Sequence, residues 1–430
     1  MPAIVGELLA EGGKRPPLAA RGPHFRPKAK NIIFVYLSGG LSHVDSFDYK
    51  PVLAERDGQM HRSKPLFGPR WEFKRRGESG LQISELFPHI ASRADDLCLI
   101  RSMRSDHGNH FQATLGLHTG SFTVTRPSLG SWVSYGLGSE NANLPAFVTL
   151  APRLPYAGGQ VWNNDFLPAE HAGTRIADPA DPVPYLRPLS PSQKVQRLEL
   201  DLLEKLNRRH GLERPGDNRL DARLKSFETA FGMQMQFPAA LDVKKESKAT
   251  LAEYGLDPDN SSGMAWQCLV ARRLVERGVR FVELIDTGSN RNWDSHSNID
   301  DHAGLARNVD RPVAALLRDL KSRGMFDDTL VVFTTEFGRA PLLDGKNGRG
   351  HHARCFCTWL AGAGVKRGHA HGETDELGME VARDEVHIHD FHATLLHLLG
   401  FNHERLTYRH GGRDFRLTDV RGKVVEGVLA

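Results

Sequence analysis

The chain has 430 residues, of which 40% are hydrophobic and 25% charged, and its formal net charge at pH 7 is +4. This composition is typical of an ordinary globular protein with a large core. The small net charge, with no basic stripe or aromatic recognition motif, argues against a nucleic-acid partner, and no apolar run approaches the roughly 20 residues of a transmembrane helix. The length fits two or three domains or one large α/β domain with insertions.

The cysteines and histidines point to different conclusions. The chain contains no CxxC pair, so its four cysteines predict neither a zinc knuckle nor a disulfide framework. Histidine is frequent, with 21 residues, ten of which lie between His351 and His410. Because imidazole is the commonest ligand of transition metals and titrates near neutral pH, this cluster favours a metal enzyme.

The hydrophobic pattern predicts alternating strands and helices. Continuous apolar or β-branched runs predict strands at 31–37, 97–103, 145–150, 279–285, 330–334 and 355–360, with short antiparallel strands after 406. Helical spacing predicts helices at 84–96, 127–138, 192–236, 261–278, 304–323 and 390–399. The order helix, strand, polar loop, helix and strand between 261 and 334 is typical of a doubly wound parallel sheet.

The remaining segments are predicted to lie outside this alternation. Residues 1–30 are predicted to be an N-terminal tail. Residues 50–80 are polar, with Pro, Gly and mixed charge, and are predicted to be an excursion over the surface, whereas 154–191 are rich in Pro, Gly and Asp and are predicted to be mostly irregular. Residues 192–254 are predicted to be a helical insertion whose charged face is solvated. The sequence leaves open whether this insertion is a lid, a dimer surface or padding.

Three predicted strand ends carry imidazole or carboxylate side chains: His43 and Asp45 after 31–37, Asp294 and His296 after 279–285, and Glu336, His351 and His352 after 330–334. Ligands of parallel α/β sheets bind just outside the carboxyl ends of the strands, so we expect these groups to converge. A divalent metal needs three or four such ligands, and a mixed His/carboxylate set suits Zn, Mn or Fe. Each residue taken alone also fits a polar surface loop.

The segment after the 97–103 strand is a second candidate region. Ser102, Ser105 and the backbone around His110 lie at or before a predicted helix start. Helix N-termini attract anions, so these groups are expected to face a phosphate or sulfate. The alternative is a polar capped turn.

Seven segments of the chain carry a family resemblance: SGGLSHVDSFD, WDSHSN, TTEFGR, GRGHH, LAGAGVKRG, GETDELG and HDFHATLLHLLG. In this order they resemble the signature segments of a sulfatase-like bacterial family catalogued as domain of unknown function 1501, over residues 27–430. The resemblance implies an alkaline phosphatase-like α/β/α sandwich with a mostly parallel central sheet. Relatives on this fold include phosphatases, sulfatases and phosphoglycerate mutases that use one or two divalent metals and an active-site Ser, Thr or modified Cys.

The resemblance also suggests metal ligands. Asp294, His296 and His352 resemble an Asp/His/His ligand set. Glu336 falls where relatives have the Asp of an Asp-His pair, but the next residue is Phe337, so one histidine ligand is missing. The first strand ends without the Asp that relatives place there, and Asp45 or His43 is expected to replace it.

The resemblance suggests catalytic groups as well. The chain has no sulfatase-type Cys-x-Pro-Ser-Arg, so a formylglycine nucleophile is not expected, and Ser102 is the predicted nucleophile. With His110 and Arg339 it makes up the predicted catalytic set. The arginines expected to clamp an anionic group are Arg101, Arg339 and Arg349.

These observations lead to two readings. The first is a metal-dependent hydrolase of phosphate or sulfate esters, acting on an anionic ester or glycan. The alternative is a catalytically inactive metal- or anion-binding protein on the same fold. A dinucleotide-dependent oxidoreductase is not expected, because no GxGxxG follows an early strand. The resemblance implies export to the periplasm, although the first 30 residues contain no signal-peptide hydrophobic region; the oligomeric state stays open.

Overall fold

A computed structural model describes residues 22–182, 192–212, 231–234, 236–257, 263–290 and 292–430. The described strands are β1 Asn31–Leu37, β2 Met60–His61, β3 Lys64–Pro65, β4 Phe73–Arg76, β5 Leu81–Ser84, β6 Leu97–Arg104, β7 Phe147–Leu150, β8 Thr174–Ile176, β9 Phe281–Asp286, β10 Thr329–Thr335, β11 Gly338–Asp344, β12 Gly348–His352, β13 Phe356–Gly362, β14 His369–His371, β15 Glu373–Thr374, β16 Val381–Arg383, β17 Val386–His387, β18 Tyr408–His410 and β19 Arg413–Phe415. The α-helices with described bounds are α1 Pro51–Glu55, α2 Pro88–Ala91, α3 His110–Thr119, α4 Leu129–Leu137, α5 Gln193–Leu212, α6 Lys248–Tyr254, α7 Gly263–Val275, α8 Asp301–Ser322 and α9 Ile388–Leu398.

Nine of the described strands form a mixed sheet at the centre of the fold. Its order is β14-β6-β13-β10-β1-β9-β7-β8, and β17 pairs with β6 beside β14. Every pairing in this sheet is parallel except the two made by β13, which runs antiparallel to β10 and β6. The fold is therefore α/β with a mostly parallel central sheet, as the sequence predicts.

Helices cover both faces of the sheet, because the strands are apolar on both faces. In β1, Ile33, Val35 and Leu37 belong to one hydrophobic cluster, which also contains residues of α2, α7 and α8. The alternate residues of the same strand pack into a second cluster with residues of α3, α4 and α9. Successive side chains of a strand point to opposite faces, so one buried strand serves two cores. The result is three layers, with the sheet in the middle.

The strand predictions are confirmed, with shifts of one or two residues at several ends. The helices predicted at 127–138, 261–278, 304–323 and 390–399 are confirmed as α4, α7, α8 and α9. The predicted 192–236 helix is confirmed over α5, over 231–234 and at 236, whereas 213–230 and 235 lie outside the described residues. The predicted tail is outside the description over residues 1–21.

Two secondary-structure predictions are wrong. The 84–96 helix is replaced by the end of β5, the four-residue α2 and a 3-10 turn, because Pro88 starts a short helix that ends at Ala91. The loop predicted after β10 contains an antiparallel hairpin, β11 and β12, which pairs Gly338 with His352 and Asp344 with Gly348. No helix in the described ranges combines the length and apolar character that crossing a membrane requires.

Candidate metal centre

The candidate centre lies where three parallel strands of the sheet end. Leu37, the last residue of β1, pairs with Thr335 of β10 on one side and with Asp286 of β9 on the other. The residues that follow these strands therefore start at neighbouring points on one edge of the sheet. Helix α3 adds a fourth segment, and it begins at His110 because the Asn109 side chain caps it by accepting a hydrogen bond from the backbone N–H of Phe111.

Glu336 is the buried base of the centre. Its side chain is fully buried, and its Oε1 accepts hydrogen bonds from Gly39 N at 2.9 Å and from His110 Nδ1 at 2.6 Å. Its Oε2 accepts from the hydroxyls of Tyr36 at 3.0 Å and Thr335 at 3.1 Å. Burial would raise the pKa of this carboxyl, but the hydrogen bonds, above all the one with His110, outweigh burial and lower it. Glu336 is thus a fixed negative charge.

Two aromatic side chains fix the His110 ring next to Glu336. Its ring stacks on Tyr156 at a centroid distance of 4.1 Å and contacts Phe337 at 4.7 Å. Because Nδ1 donates to Glu336, the neutral ring carries its lone pair on Nε2, which lies 3.3 Å from Asp294 Oδ2 and has no hydrogen-bond donor among the described residues. Burial opposes protonation, yet contacts with both carboxylates raise the pKa of His110.

Asp294 is the carboxylate at the middle of the centre. Its backbone N–H is fixed by Asn292 Oδ1 at 2.9 Å, and its Oδ1 accepts from Arg339 Nη2 at 2.5 Å. Burial alone would raise the pKa of this carboxyl, but hydrogen bonds with His110, His351 and Arg339 outweigh burial and hold that pKa far below its usual range. Asp294 is therefore ionised, and it faces the Nε2 atom of His110.

Two further imidazoles face Asp294. His351 Nε2 lies 3.3 Å and His296 Nε2 lies 3.2 Å from its Oδ1. The Nδ1 atom of His351 contacts the carbonyl oxygen of Gly108 at 2.8 Å, and that of His296 contacts Asp344 Oδ2 at 2.7 Å. Both partners accept only, so each Nδ1 carries the proton and each neutral Nε2 carries a lone pair. The two Nε2 atoms are 2.8 Å apart, so they can share either a proton or a cation.

The arrangement has the form of a metal site. One ligand atom each from His110, Asp294 and His351 lies within 4.8 Å of the other two. Metal-ligating histidines usually donate their second ring N–H to a carboxylate or a backbone carbonyl, and all three imidazoles here do so. His110, Asp294 and His351 thus offer two nitrogens and one oxygen to one cation, and His296 lies beside them as a fourth candidate ligand. This mixed set suits Zn, Mn or Fe.

Arg339 is part of the support of this centre. Its guanidinium is fully buried and donates to Gly39 O, to Gly40 O at 3.0 Å and to Arg349 O at 3.1 Å, in addition to Asp294. These carbonyl contacts fix the guanidinium in one position. The sequence predicts Arg339 as a catalytic or anion-clamping residue, and the structure places it beside Asp294 with most of its donors committed to the protein.

Asp45 and Arg349 lie apart from the centre as a buried ion pair. Asp45 Oδ2 accepts from Arg349 Nε at 2.7 Å, and both side chains are fully buried. The same guanidinium donates to the carbonyls of Phe67 and Gly68, both at 2.7 Å. The donors of Arg349 are thus engaged inside the protein, and Arg349 neutralises the charge of Asp45. The structure does not bring the predicted metal ligand Asp45 or the predicted anion clamp Arg349 to the other groups.

His43 and His352 also lie apart from the centre, beside each other. Their rings stack at 5.9 Å, and their Nε2 atoms donate to the carbonyls of Gly378 and Met379 at 2.9 and 2.7 Å. Burial lowers the pKa of both histidines to about 4. Within β12, His351 and His352 are neighbours and so point to opposite faces. This alternation explains why His351 reaches Asp294 whereas His352 does not.

Ser102 and Arg101 lie on β6, away from the cluster. The Ser102 side chain is fully buried, and its Oγ donates to the carbonyl of Asp384 at 2.5 Å. Arg101 interacts electrostatically with the buried Asp48. The predicted nucleophile is therefore engaged with the backbone of another segment, and the predicted anion clamp faces a different carboxylate.

Some groups of the centre were missed by the sequence analysis. Tyr156 lies in a stretch that looked irregular, and its hydroxyl accepts from Asn292 at 2.9 Å and donates to Asp294 at 3.4 Å. Asp344 ends β11 and orients His296, and Tyr36 lies in the apolar strand β1. A signal existed only for Asp344, because Asp-Gly followed by Asn-Gly at 344–348 is a turn signature that would have predicted the hairpin.

The sequence matches one family model, described as a protein of unknown function (DUF1501), over residues 29–429. The chain belongs to the DUF1501 family. No curated protein matches this DUF1501 chain in a sequence search.

Solved structures with a similar fold have low sequence identity to this DUF1501 protein. The lipoteichoic acid synthase LtaP from Listeria monocytogenes is 10% identical over 94% of this chain and 78% of its own, with a TM-score of 0.41. The PsFucS1 sulfatase from Pseudoalteromonas sp. is 14% identical over 93% of this chain and 70% of its own, with a TM-score of 0.38. The alkaline phosphatase from the Antarctic bacterium TAB5 is 11% identical over 79% of this chain and 92% of its own, with a TM-score of 0.34. Similarities at this level say nothing about individual residues of the centre.

Proposed function

We propose that His110, Asp294, His296 and His351 bind one divalent metal ion, and that the protein is a metal-dependent hydrolase of phosphate or sulfate esters on an alkaline phosphatase-like fold. The observation that carries the proposal is the orientation of the three imidazoles. Each has its Nδ1 bonded to an acceptor, so the Nε2 atoms of His110 and His351 are free to bind a cation together with the ionised carboxylate of Asp294, and the Nε2 atom of His296 lies 3.2 Å from that carboxylate. A cation is the ligand that such a set of donors binds.

The charges around the centre favour an anionic substrate. With neutral imidazoles, the two carboxylates of Asp294 and Glu336 and the guanidinium of Arg339 leave these residues with a net charge of −1. A bound divalent cation makes the total positive and supplies Lewis acidity toward an ester oxygen. The fixed charges of Arg339 and Glu336 need no reorganisation when a substrate binds, which is the property that electrostatic catalysis requires.

Water is the attacking group in this proposal. In the described part of the chain, no serine, threonine or cysteine side chain hydrogen-bonds to Asp294, His351 or the Nε2 atom of His110. The hydroxyl nearest to the ligands by contact is that of Tyr156, whose pKa is raised by burial. This neutral phenol is placed to donate a hydrogen bond to Asp294 and so to hold the carboxylate in one orientation.

The alternative function is an inactive metal- or anion-binding protein on the same fold. The same absence of a hydroxyl nucleophile in contact with the ligands favours it. Metal binding is common to both functions, and turnover of an ester separates them.

The test compares two neighbouring histidines. Stripped protein is reloaded with Zn, Mn or Fe, and bound metal is measured by elemental mass spectrometry for the natural protein, His351→Ala and the control His352→Ala. One equivalent is expected in the natural protein and in the control, and loss of it in His351→Ala. Equal metal content in both variants, or no uptake by the natural protein, would contradict the proposed centre.

The same samples are then assayed with p-nitrophenyl phosphate, bis-p-nitrophenyl phosphate and p-nitrophenyl sulfate. Metal-dependent turnover that disappears in His351→Ala and persists in His352→Ala supports the hydrolase. Stoichiometric metal without turnover of any of the three esters supports the alternative function.

A further inference from the structure

A second cleft, separate from the metal centre, lies between the start of α7, the first half of α8 and the end of β9. It has a volume of about 810 Å³, within the range of ligand pockets. Its described lining includes Arg153 and Arg307 at the surface and Gln267, Asp286 and Thr287 deeper in. None of these five residues contributes to the metal centre.

The inner part of the cleft contains polar atoms without partners. Gln267 is 3% exposed, and its Oε1 has no hydrogen-bond partner in the described structure. The hydroxyl of Thr287 is buried and equally unpartnered. Asp286 accepts a hydrogen bond from Trp293 through Oδ2, which leaves Oδ1 without a described partner. A buried polar atom without a partner destabilises a protein, so Gln267 Oε1 and the Thr287 hydroxyl favour a ligand that brings hydroxyl groups.

The backbone at the same place is strained. Thr287 has a φ of 58°, in the left-handed region that β-branched residues rarely adopt. Strain of this kind is retained mainly where function positions a side chain. It holds the Thr287 side chain beside Asp286, with both residues lining the cleft.

The outer part of the cleft is cationic. Arg153 and Arg307 are both exposed, and neither has an ion-pair partner among the described side chains. Pro152, Met264 and Leu305 provide apolar lining between the rim and the inner polar atoms. The lining thus combines hydroxyl-binding acceptors, apolar surface and free guanidinium groups.

We propose that this cleft binds an acidic sugar unit, that is, a polyhydroxylated ring with a carboxylate or sulfate group. The ring hydroxyls would donate to Gln267 Oε1 and Asp286, the C–H face would pack on the apolar lining, and the anionic group would meet Arg153 and Arg307. Arginine suits the paired oxygens of a carboxylate or sulfate group because its donors form a fork. The proposal does not depend on the metal centre, since it uses no residue of that centre.

The test measures binding of three probes, D-glucuronate, D-glucose 6-sulfate and D-glucose, by isothermal titration calorimetry with the full chain. At least one acidic probe is expected to bind with a dissociation constant of about 1 mM or below, and D-glucose about tenfold more weakly. The acidic probe that binds identifies the anionic group. If neither acidic probe shows binding at about 10 mM, or if D-glucose binds with the same affinity as the acidic probe, the proposal is overturned.

Three variants connect the binding to the residues. Gln267→Leu keeps the side-chain size and should weaken the acidic probe about tenfold, and Arg307→Ala should weaken the acidic probe but not D-glucose. His351→Ala should leave binding unchanged, which separates this proposal from that of the metal centre. Folding of each variant is checked by circular dichroism. A folded Gln267→Leu with unchanged affinity would overturn the assignment.

Discussion

Replacing Glu336 with glutamine removes the negative charge beneath His110 while keeping nearly the same shape. The carboxylate accepts hydrogen bonds from His110 Nδ1 at 2.6 Å, from Gly39 N and from two hydroxyls. Glutamine keeps one accepting oxygen, so its amide can still meet the His110 ring. The bond is then no longer charge-assisted, and the imidazole becomes a weaker ligand.

The expected size of this effect follows from the position of Glu336 behind His110, a proposed metal ligand. Loss of such a partner typically weakens metal affinity about 10–100-fold, which is roughly 1.4–2.8 kcal/mol. Here the substitution also changes the net charge of Asp294, Glu336 and Arg339 from −1 to zero. Because the carboxylate is fully buried and little screened by solvent, we expect a loss of metal affinity near the upper end of this range.

The assay measures the zinc affinity of the metal-free protein by competition with a fluorescent zinc chelator. Glu283→Gln is the matched control, because Glu283 is also a buried carboxylate paired with a histidine, His118, at 2.8 Å, but it lies outside the centre. Both variants should lose stability in urea denaturation, and only Glu336→Gln should lose zinc affinity. Zinc affinity of Glu336→Gln within about twofold of the natural protein, or an equal loss in both variants, would refute the reasoning.

Three further predictions concern the surroundings of the centre. Arg349→Met should destabilise the protein by about 3–5 kcal/mol in urea denaturation, because it leaves the charge of Asp45 buried and unpaired, and a loss below about 1 kcal/mol would contradict this. Burial raises the pKa of Asp286 from 3.8 to about 6, so the folded state keeps a proton that the unfolded state releases, and stability falls as pH rises through this window. Asp286→Asn should therefore stabilise the protein by up to about 3 kcal/mol near pH 7 and hardly at all below about pH 4, and equal gains at both pH values in urea denaturation would be inconsistent with a raised pKa. Gly39→Ala should abolish metal binding measured by mass spectrometry, because a Cβ there would lie 2.7 Å from Asp294 N at a φ of +117°, and retained stoichiometric metal would show that the loop adapts.

Much of the sheet could be predicted from the sequence because its strands are buried on both faces. Continuous apolar runs such as Asn31–Leu37 have no other common explanation when glycines follow them. The same rule predicts that Asp294 and Glu336 lie at one edge of the sheet, where parallel strands deliver their following residues, and both contact His110 there. These predictions depend on local pattern and on one general property of parallel sheets.

The pairing of individual charges could not be predicted in this way. Asp45 follows a strand just as Asp294 follows another, and nothing in the local sequence shows that Arg349, 304 residues away, neutralises it. Likewise, Ser102 ends a strand in a position that suits a nucleophile, but its hydroxyl is taken by a carbonyl from a distant segment. Whether a polar group is free or satisfied is a tertiary property.

A different reason explains why the sequence does not show which of His351 and His352 faces Asp294. The segment after β10 is rich in glycine and charge and was predicted to be a loop, in which neighbouring residues have no fixed relation. As a strand, it places successive side chains on opposite faces, so only one of the two histidines can face Asp294. The turn signature at 344–348 predicts a hairpin, and in a hairpin strand only one of His351 and His352 can face Asp294.

The contact between His110 and Glu336 joins residues 226 positions apart in the chain. Closing a loop of this length costs more entropy than making a local contact, so we expect the centre to be completed late in folding. Metal should then act on the lifetime of the finished protein: it slows unfolding, while leaving the rate of refolding from urea nearly unchanged. Metal binding would thus report that folding is complete, and metal release would be the earliest sign that the long-range contacts have opened.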